Sequence, residues 1–315
     1  MSFAVLVPQA IDAAGLDAMR AAGLTVVEAP DTDPVTLKRL IRNCQGVLVR
    51  TVPLTEDLLS EAADLRVVSR HGAGVDNVDL AYCRRAGIQV TYAPLANGTA
   101  VAEHTIGLLL AITKNLRTCD AAVRAGDFGI RNRGYGIELS GKTLGVVGLG
   151  HIGRAVASRA AAGLGMTIVG TDPNVDPHSL PPGIKRVELE ELLDSADVIS
   201  MHVPLTPATH HLIGAPELAR MKADYLVNCS RGGVVNEAAL VEALASGALQ
   251  AAALDVFEEE PLPPTSPLTR LNNVVLTPHM AAHTAESLAK MAVHAAQGII
   301  AVAHGKQPEW PVRPD

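Results

Sequence analysis

The sequence predicts an α/β protein of two domains, each a doubly wound parallel sheet. Its 315 residues are about twice the length of a common domain. Short apolar runs alternate with helical stretches from residue 4 to 91, and the same alternation restarts at Lys142. Hydrophobic residues make up 48% of the chain but aromatic residues only 3%. The core is therefore built from Ala, Val, Leu and Ile, as in parallel strands buried on both faces.

In the first series the apolar runs Ala4 to Val7, Thr25 to Val27, Gly46 to Val49, Arg66 to Ser69 and Ile88 to Thr91 read as strands. Helical patterns at Ala13 to Ala22, Pro34 to Arg42, Glu56 to Ala63 and Asp79 to Ala86 separate them, which implies parallel pairing through right-handed crossovers. A long helix from Thr99 to Leu116 follows. It carries Val101, Ile106, Leu108, Leu109, Leu110 and Ile112 on most sides, so it is expected at a domain junction or a subunit interface. The Gly- and Arg-rich stretch Arg124 to Leu139 reads as an arm. In the second series the strands are Leu144 to Val147, Thr167 to Thr171, Val198 to Met201, Tyr225 to Asn228, Ala251 to Asp255 and Val274 to Leu276, with a helix over Ile152 to Ala162. The final helix, Ala285 to His304, has no strand after it and is expected to return to the first domain.

The formal net charge of -7 argues against nucleic acid as a partner. Cys44, Cys83, Cys119 and Cys229 are scattered, with no Cys-x-x-Cys pair, and read as reduced thiols rather than as a metal site. The N-terminal run from Met1 to Pro8 lacks the basic start of a signal peptide, and no apolar stretch is long enough to span a bilayer. These features predict a cytoplasmic protein without a membrane partner.

Gly148-Leu149-Gly150-His151-Ile152-Gly153 lies between a predicted strand and a predicted helix, the context in which a G-x-G-x-x-G turn binds a dinucleotide in a Rossmann domain. Gly148 permits the tight turn, Gly150 lets the backbone approach a pyrophosphate, and Gly153 allows close helix packing. The helix N-terminus offers free N–H groups and the positive end of its dipole. Asp172 ends the next strand, where a carboxylate accepts hydrogen bonds from ribose hydroxyls and repels a 2′-phosphate. No arginine follows it, so NAD is expected rather than NADP. S-adenosylmethionine is another ligand for such a turn, but it leaves the downstream residues unexplained.

Arg231, Glu260 and His279 each follow a predicted strand of the second sheet, at the carboxyl end where open parallel sheets bind ligands. Taken singly they have plain readings: a surface ion pair, part of the solvated run Glu258 to Glu260, a structural histidine. Their order suggests more. An arginine fork grips a carboxylate, a histidine exchanges a proton near neutral pH, and a neighbouring carboxylate stabilises the imidazolium. Those are the requirements for reducing a 2-oxo acid.

The chain resembles the D-isomer-specific 2-hydroxyacid dehydrogenase family, nearest its phosphoglycerate dehydrogenase and hydroxypyruvate/glyoxylate reductase branches. The resemblance is carried by Gly72 to Asp79, Val101 to His104, Gly141 to Gly145 running into the glycine turn, His202 to Pro207, Asn228 to Gly233, Ala253 to Phe257 and Thr277 to His279. It implies a nucleotide domain at 98–283 inserted into a flavodoxin-like substrate domain made of 1–97 and 284–315. It implies Arg231, Glu260 and His279 as the catalytic set. It also implies His151, Ile152 and Asp172 against the dinucleotide, Val203 and Pro204 at the adenine, Cys229 and Ser230 near the nicotinamide, and Asp255 on the carboxamide. Ala73, Gly74 and Val75 would offer backbone N–H groups to the substrate, with Arg50 and Asn97 nearby. Members of the family are usually dimers joined through the nucleotide domain.

Phe128 stands where many relatives have Trp, Ala281 and Ala282 replace frequent glycines, His283 replaces a frequent Ser, and Ala100 replaces a common Ser. These departures bear on the choice of substrate and leave the triad intact. The chain ends near Asp315, short of the regulatory extension of many phosphoglycerate dehydrogenases, so serine feedback is not expected. Hydroxypyruvate and glyoxylate are the favoured substrates. Beyond Arg50, only Arg131 and Arg133 suggest a phosphate clamp, which keeps 3-phosphohydroxypyruvate as the alternative. A formate dehydrogenase would call for Gln in place of Glu260. An NAD-sensing interaction protein, like the co-repressors of the family, is the alternative of another class.

Overall fold

The computed structural model describes residues 3–312. The chain divides into two compact units, Met1–Asn97 with His283–Asp315, and Gly98–Ala282. Residues 1, 2 and 313–315, which the sequence assigns to the first domain, lie outside the described residues.

In the first unit the elements are β1 (Ala4–Val7), α1 (Ala13–Ala21), β2 (Thr25–Glu28), α2 (Pro34–Ile41), β3 (Gly46–Val49), α3 (Glu56–Leu59), β4 (Val67–Arg70), α4 (Leu80–Arg85) and β5 (Gln89–Thr91). The strands form one parallel sheet in the order β2-β1-β3-β4-β5. Leu6 stands opposite Val27 on one side and Val47 on the other, and Val49 stands opposite Arg70. Successive side chains in a strand point to opposite faces, and both faces are covered. Leu6, Val47, Val49 and Val68 pack with Leu37, Ile41 and Leu59. Val5, Leu48 and Val67 pack with Met19, Ala295, Ala296 and Ile299.

The last two alanines and Ile299 belong to the final helix, Ala285–Ala303, which lies on this sheet as expected. Helix α1 approaches it so closely that a Cβ on Gly15 would fall 2.7 Å from the carbonyl oxygen of Ala292. Asp12, Asp33 and Asp79 cap α1, α2 and α4 by accepting N–H groups of the first turn. Each cap fixes where a helix leaves its loop.

The second unit contains α5 (Gly98–Thr113), α6 (Leu116–Arg124), β6 (Thr143–Val147), α7 (His151–Leu164), β7 (Thr167–Thr171), β8 (Ile184–Arg186), α8 (Leu189–Ser195), β9 (Val198–Met201), α9 (Ala215–Arg220), β10 (Tyr225–Asn228), α10 (Glu237–Ser246), β11 (Ala251–Leu254) and β12 (Val274–Leu276). All seven strands are parallel, in the order β12-β11-β10-β9-β6-β7-β8. The order reverses between β6 and β9, where Val147 pairs with Met201, and this is the switch point at which such sheets bind nucleotides. One face packs Val146, Ile168 and Val227 against Leu109 of α5 and Val156 of α7. The other packs Ile199, Leu226 and Leu254 against Leu192 of α8 and Leu240 of α10.

The structure corrects the helix expected over Thr99 to Leu116. It begins at Gly98 and stops at Thr113, because Asn115 takes a left-handed φ of 54° and its side-chain amide donates to the carbonyl of Tyr135. The apolar sides of α5 lie against α7, β10, β11 and β12 of its own unit. Strand β8 and helices α6, α8, α9 and α10 were not assigned from the sequence. Strand β8 is a three-residue edge strand with no residue fully buried, so it has no apolar run to betray it. Among the described residues no helix is long and apolar enough to cross a membrane.

Candidate active site

The glycine turn joins β6 to α7. A Cβ on Gly148, whose φ is 98°, would lie 2.5 Å from the carbonyl oxygen of His202, and a Cβ on Gly153 would lie 1.9 Å from the oxygen of Gly148. The backbone therefore has no room for side chains at either position. Above Gly150 the space is open, and no side chain caps the first turn of α7. An uncapped helix start leaves N–H groups pointing outward, which fits a pyrophosphate laid across the turn. Asp172, just past β7, accepts the N–H of Leu149 at 3.0 Å and that of Asn174 at 2.9 Å. Its carboxylate is thereby fixed beside the turn, where a ribose would lie. Arg154 donates from Nε to the carbonyl of Leu149 at 2.7 Å and from Nη1 to that of Ser179 at 3.2 Å, tying the loop after β7 to the same turn. The residues present thus fit a dinucleotide.

The other residues expected against a dinucleotide follow the carboxyl ends of β6, β9 and β10 in the same sheet. His151 and Ile152 open α7, and the His151 ring lies over the backbone of Gly98, where a Cβ would come within 2.4 Å of it. Val203 is half-buried and Pro204 exposed just after β9. Cys229 and Ser230 follow β10. Burial pushes the Cys229 thiol up to about 12, so it stays protonated. Ser230 sends both its N–H and its hydroxyl to the Asn228 side chain, at 3.0 and 2.8 Å.

Arg231, Glu260 and His279 come together in this unit. Nδ1 of His279 lies 2.7 Å from Oε2 of Glu260, and Oε1 of Glu260 accepts the N–H of Phe257 at 3.0 Å. Burial works to raise the Glu260 carboxyl, but the hydrogen bond and charge of His279, the Phe257 N–H and the charge of Arg231 outweigh it. The net result is a carboxyl held below its ordinary value, hence a carboxylate near neutral pH. The Arg231 loop meets the Glu260 loop through Gly232, where a Cβ would fall 1.9 Å from the Phe257 carbonyl carbon.

Two residues that the sequence did not single out for this role hold the loops in place. Asn228, buried at the end of β10, donates from Nδ2 to the carbonyl of Arg231 at 2.9 Å, so one side chain braces Ser230 and Arg231 together. Asp255, expected on a carboxamide, is fully buried, and its oxygens serve the chain itself. Oδ1 accepts the Thr277 hydroxyl at 2.6 Å and the Met280 N–H at 2.9 Å, and Oδ2 accepts the Ala281 N–H at 2.8 Å. His279 between them has a left-handed φ of 50°. A polar residue at a strand terminus followed by a short loop is the sequence signal that could have found both.

The remaining candidates lie in the first unit. Arg50 follows β3 and donates to the carbonyl of Ala10 at 3.1 Å. Ala73, Gly74 and Val75 are half-buried in the loop after β4. Asn97 is buried, and its Oδ1 has no hydrogen-bond partner among the described residues. Arg70, which the sequence reading passed over, ends β4 with its guanidinium over Gly72. Burial, then the charge of Arg50, pushes neighbouring His71 down to about 4, so it is neutral. Of the arm arginines, Arg131 stands 5.9 Å over the Phe128 ring and Arg133 pairs with Asp127. No group of three or more His, Cys, Asp or Glu among the described residues is placed to hold a metal.

Residues 106–281 match the D-isomer specific 2-hydroxyacid dehydrogenase family, NAD binding domain. D-3-phosphoglycerate dehydrogenase of Methanocaldococcus jannaschii is 44% identical over 273 residues, covering 85% of this chain and 52% of the relative. Glyoxylate reductase of Thermofilum pendens is 38% identical over 313 residues, covering 96% of this chain and 92% of the relative. The crystal structure of a glyoxylate reductase from Paecilomyes thermophila superposes with a TM-score of 0.90 at 30% identity, covering 99% of this chain and 98% of the other. The chain thus spans about half the length of the phosphoglycerate dehydrogenase and nearly all of the two reductases.

Proposed function

Because the chain belongs to the D-isomer specific 2-hydroxyacid dehydrogenase family, we propose that it is an NAD-dependent reductase of a small 2-oxo acid, hydroxypyruvate or glyoxylate, yielding the D-2-hydroxy acid. The observation that carries this reading is the His279–Glu260 pair with Arg231 beside it. On this reading 98–283 is the nucleotide domain, and 1–97 with 284–315 is the substrate domain.

NAD in its reduced form, when bound, supplies the hydride. Arg231 grips the substrate carboxylate and polarises the carbonyl oxygen. Ionised Glu260 can only accept, so the His279 proton on Nδ1 points to it, and Nε2 is left for the substrate. With 47% of its side chain exposed, His279 is reachable. Protonated at Nε2, it donates to the developing alkoxide; deprotonated there, it accepts the hydroxyl proton in the reverse direction. From the resemblance, Arg50, Ala73, Gly74, Val75 and Asn97 are proposed substrate contacts, His151, Ile152, Asp172, Val203, Pro204, Cys229, Ser230 and Asp255 proposed cofactor contacts, and the assembly a homodimer joined through the nucleotide domain. The exposure of Leu116, Val123, Phe128 and Tyr135 in that unit supports the last point.

One observation favours a phosphorylated substrate as a second reading. Arg50 and Arg70 sit at the carboxyl ends of adjacent strands, with Arg70 paired to Val49 in register, and two guanidinium groups suit a phosphate. Oxidation of NADH against a panel of 2-oxo acids decides between the readings. Fast turnover of hydroxypyruvate or glyoxylate supports the first, and a strong preference for 3-phosphohydroxypyruvate supports the second. Silence across the panel with NADH still binding points to a non-enzymatic NAD-sensing protein.

A further inference from the structure

Thr277 stands two residues before His279, and its hydroxyl lies 2.6 Å from Oδ1 of Asp255. Asp255 is fully buried and held as a carboxylate, since burial is outweighed by His104, whose Nε2 lies 3.6 Å from Oδ1, and by the hydrogen bonds that Asp255 accepts from Thr277, Met280 and Ala281. A carboxylate cannot donate, so the one hydroxyl hydrogen of Thr277 goes to Asp255. On the other side, Nε2 of His104 in α5 lies 3.1 Å from the same hydroxyl oxygen. With the Thr277 hydrogen already committed, that contact is a hydrogen bond only if His104 donates. The geometry therefore assigns the proton of His104 to Nε2, whatever the charge of the ring.

We propose that His104 is a positioning residue for the reaction. Its Nε2–H donates to the Thr277 hydroxyl, commits that hydroxyl to Asp255, and through Asp255 holds the turn 277–281 that presents His279. The inference rests on the reading of His279 as the proton donor. Four bonds to Asp255 define the turn: its side chain accepts from Thr277, Met280 and Ala281, and its carbonyl oxygen accepts the His279 N–H at 2.8 Å. They hold His279 at a φ of 50°, a conformation disfavoured for a side chain with a Cβ. His104 supplies the outermost link, and its ring is bonded to Thr277 rather than to His279 or Glu260. Its loss lets the Thr277 hydroxyl turn away and the acid drift from its line to the substrate, and displacements on that scale cost large factors in rate.

Two measurements test this. In the intact protein, the 15N and 1H shifts of the His104 ring report which nitrogen carries the proton; protonation at Nε2 across the neutral range is expected, and a neutral ring protonated only at Nδ1 overturns the proposal. In steady-state kinetics with a 2-oxo acid and NADH, His104→Ala is expected to lower kcat roughly 10- to 100-fold with NADH Kd within about twofold of the parent. Thr277→Val should cause a similar loss, the double variant should be no worse than either single one, and His104→Gln, which keeps an amide N–H, should recover part of the rate. A kcat within twofold of the parent in His104→Ala, or losses that multiply in the double variant, also overturns it. If His279→Ala keeps full turnover, the donor assignment fails instead, and the tautomer measurement still reports on the network separately.

Discussion

Nδ1 of His279 sits 2.7 Å from Oε2 of Glu260, while the other oxygen of Glu260 is occupied by the Phe257 N–H. The carboxylate therefore has one lobe for structure and one for chemistry. The first keeps Glu260 against its own loop, and the second holds Nδ1 of the imidazole, which leaves Nε2 on the side of the ring away from Glu260.

If His279 is the proton donor, His279→Ala removes the step and leaves the glycine turn untouched. We expect kcat to fall by about 10²- to 10⁴-fold and NADH affinity to stay within a few-fold. Fluorescence titration with NADH beside steady-state kinetics checks both. A matched loss of cofactor binding and turnover would point to misfolding rather than to lost proton transfer.

The pH dependence follows from the same pair. Burial works to raise the Glu260 carboxyl, and His279, the Phe257 N–H and Arg231 together hold it below its ordinary value, so it stays ionised until pH falls through that lowered value. Glu260→Gln keeps the size of the side chain but gives up the charged acceptor beside Nδ1 of His279, and should lower kcat for 2-oxo acid reduction about 10-fold or more. Unchanged turnover in Glu260→Gln sinks the assigned role. For stability the sign is that of a depressed carboxyl: the contribution of the pair is present above the ordinary glutamate range and is lost as pH falls through the folded value.

Asp172 accepts two backbone N–H groups, from Leu149 and Asn174, which leaves its carboxylate directed along the turn. Asp172→Ala should weaken NADH binding roughly 10-fold or more, since a hydrogen bond to a charged group contributes about 1.5–3 kcal/mol. It should also narrow the preference for NADH over NADPH, because the repulsion of a 2′-phosphate goes with the charge. Dissociation constants for both cofactors decide it; an unchanged ratio argues against the ribose assignment.

The final helix is expected to matter to the first unit through Ile299, which is fully buried against the five-stranded sheet. Ile299→Ala should lower the stability of that unit by about 2–5 kcal/mol. Denaturant unfolding followed by a probe within the first unit measures this. A loss below about 1 kcal/mol would mean that the helix contributes little to that core.

Much of the fold was legible in the chain because parallel strands buried on both faces leave continuous apolar runs. Ala4–Val7, Gly46–Val49 and Tyr225–Asn228 are of this kind, and their bounds agree with the reading. Strand β8 leaves no such trace, because Ile184, Lys185 and Arg186 lie at the sheet edge with water nearby. The break at Asn115 was equally hidden, since its left-handed turn is secured by a carbonyl 20 residues away.

For the site, residue identity and order alone pointed to the glycine turn and to Arg231, Glu260 and His279, because each chemical task admits few side chains and each follows a strand. What only the tertiary structure decided is how those side chains are aimed. Asn228 bracing Arg231, Asp255 gathering the turn around His279, and His104 reaching Thr277 are contacts between residues as many as 173 positions apart. Hydrogen bonds of that kind depend on distances of a few ångströms set by the packing of whole elements; a polar residue at a strand end marks a candidate, and the chain does not say which partner it meets.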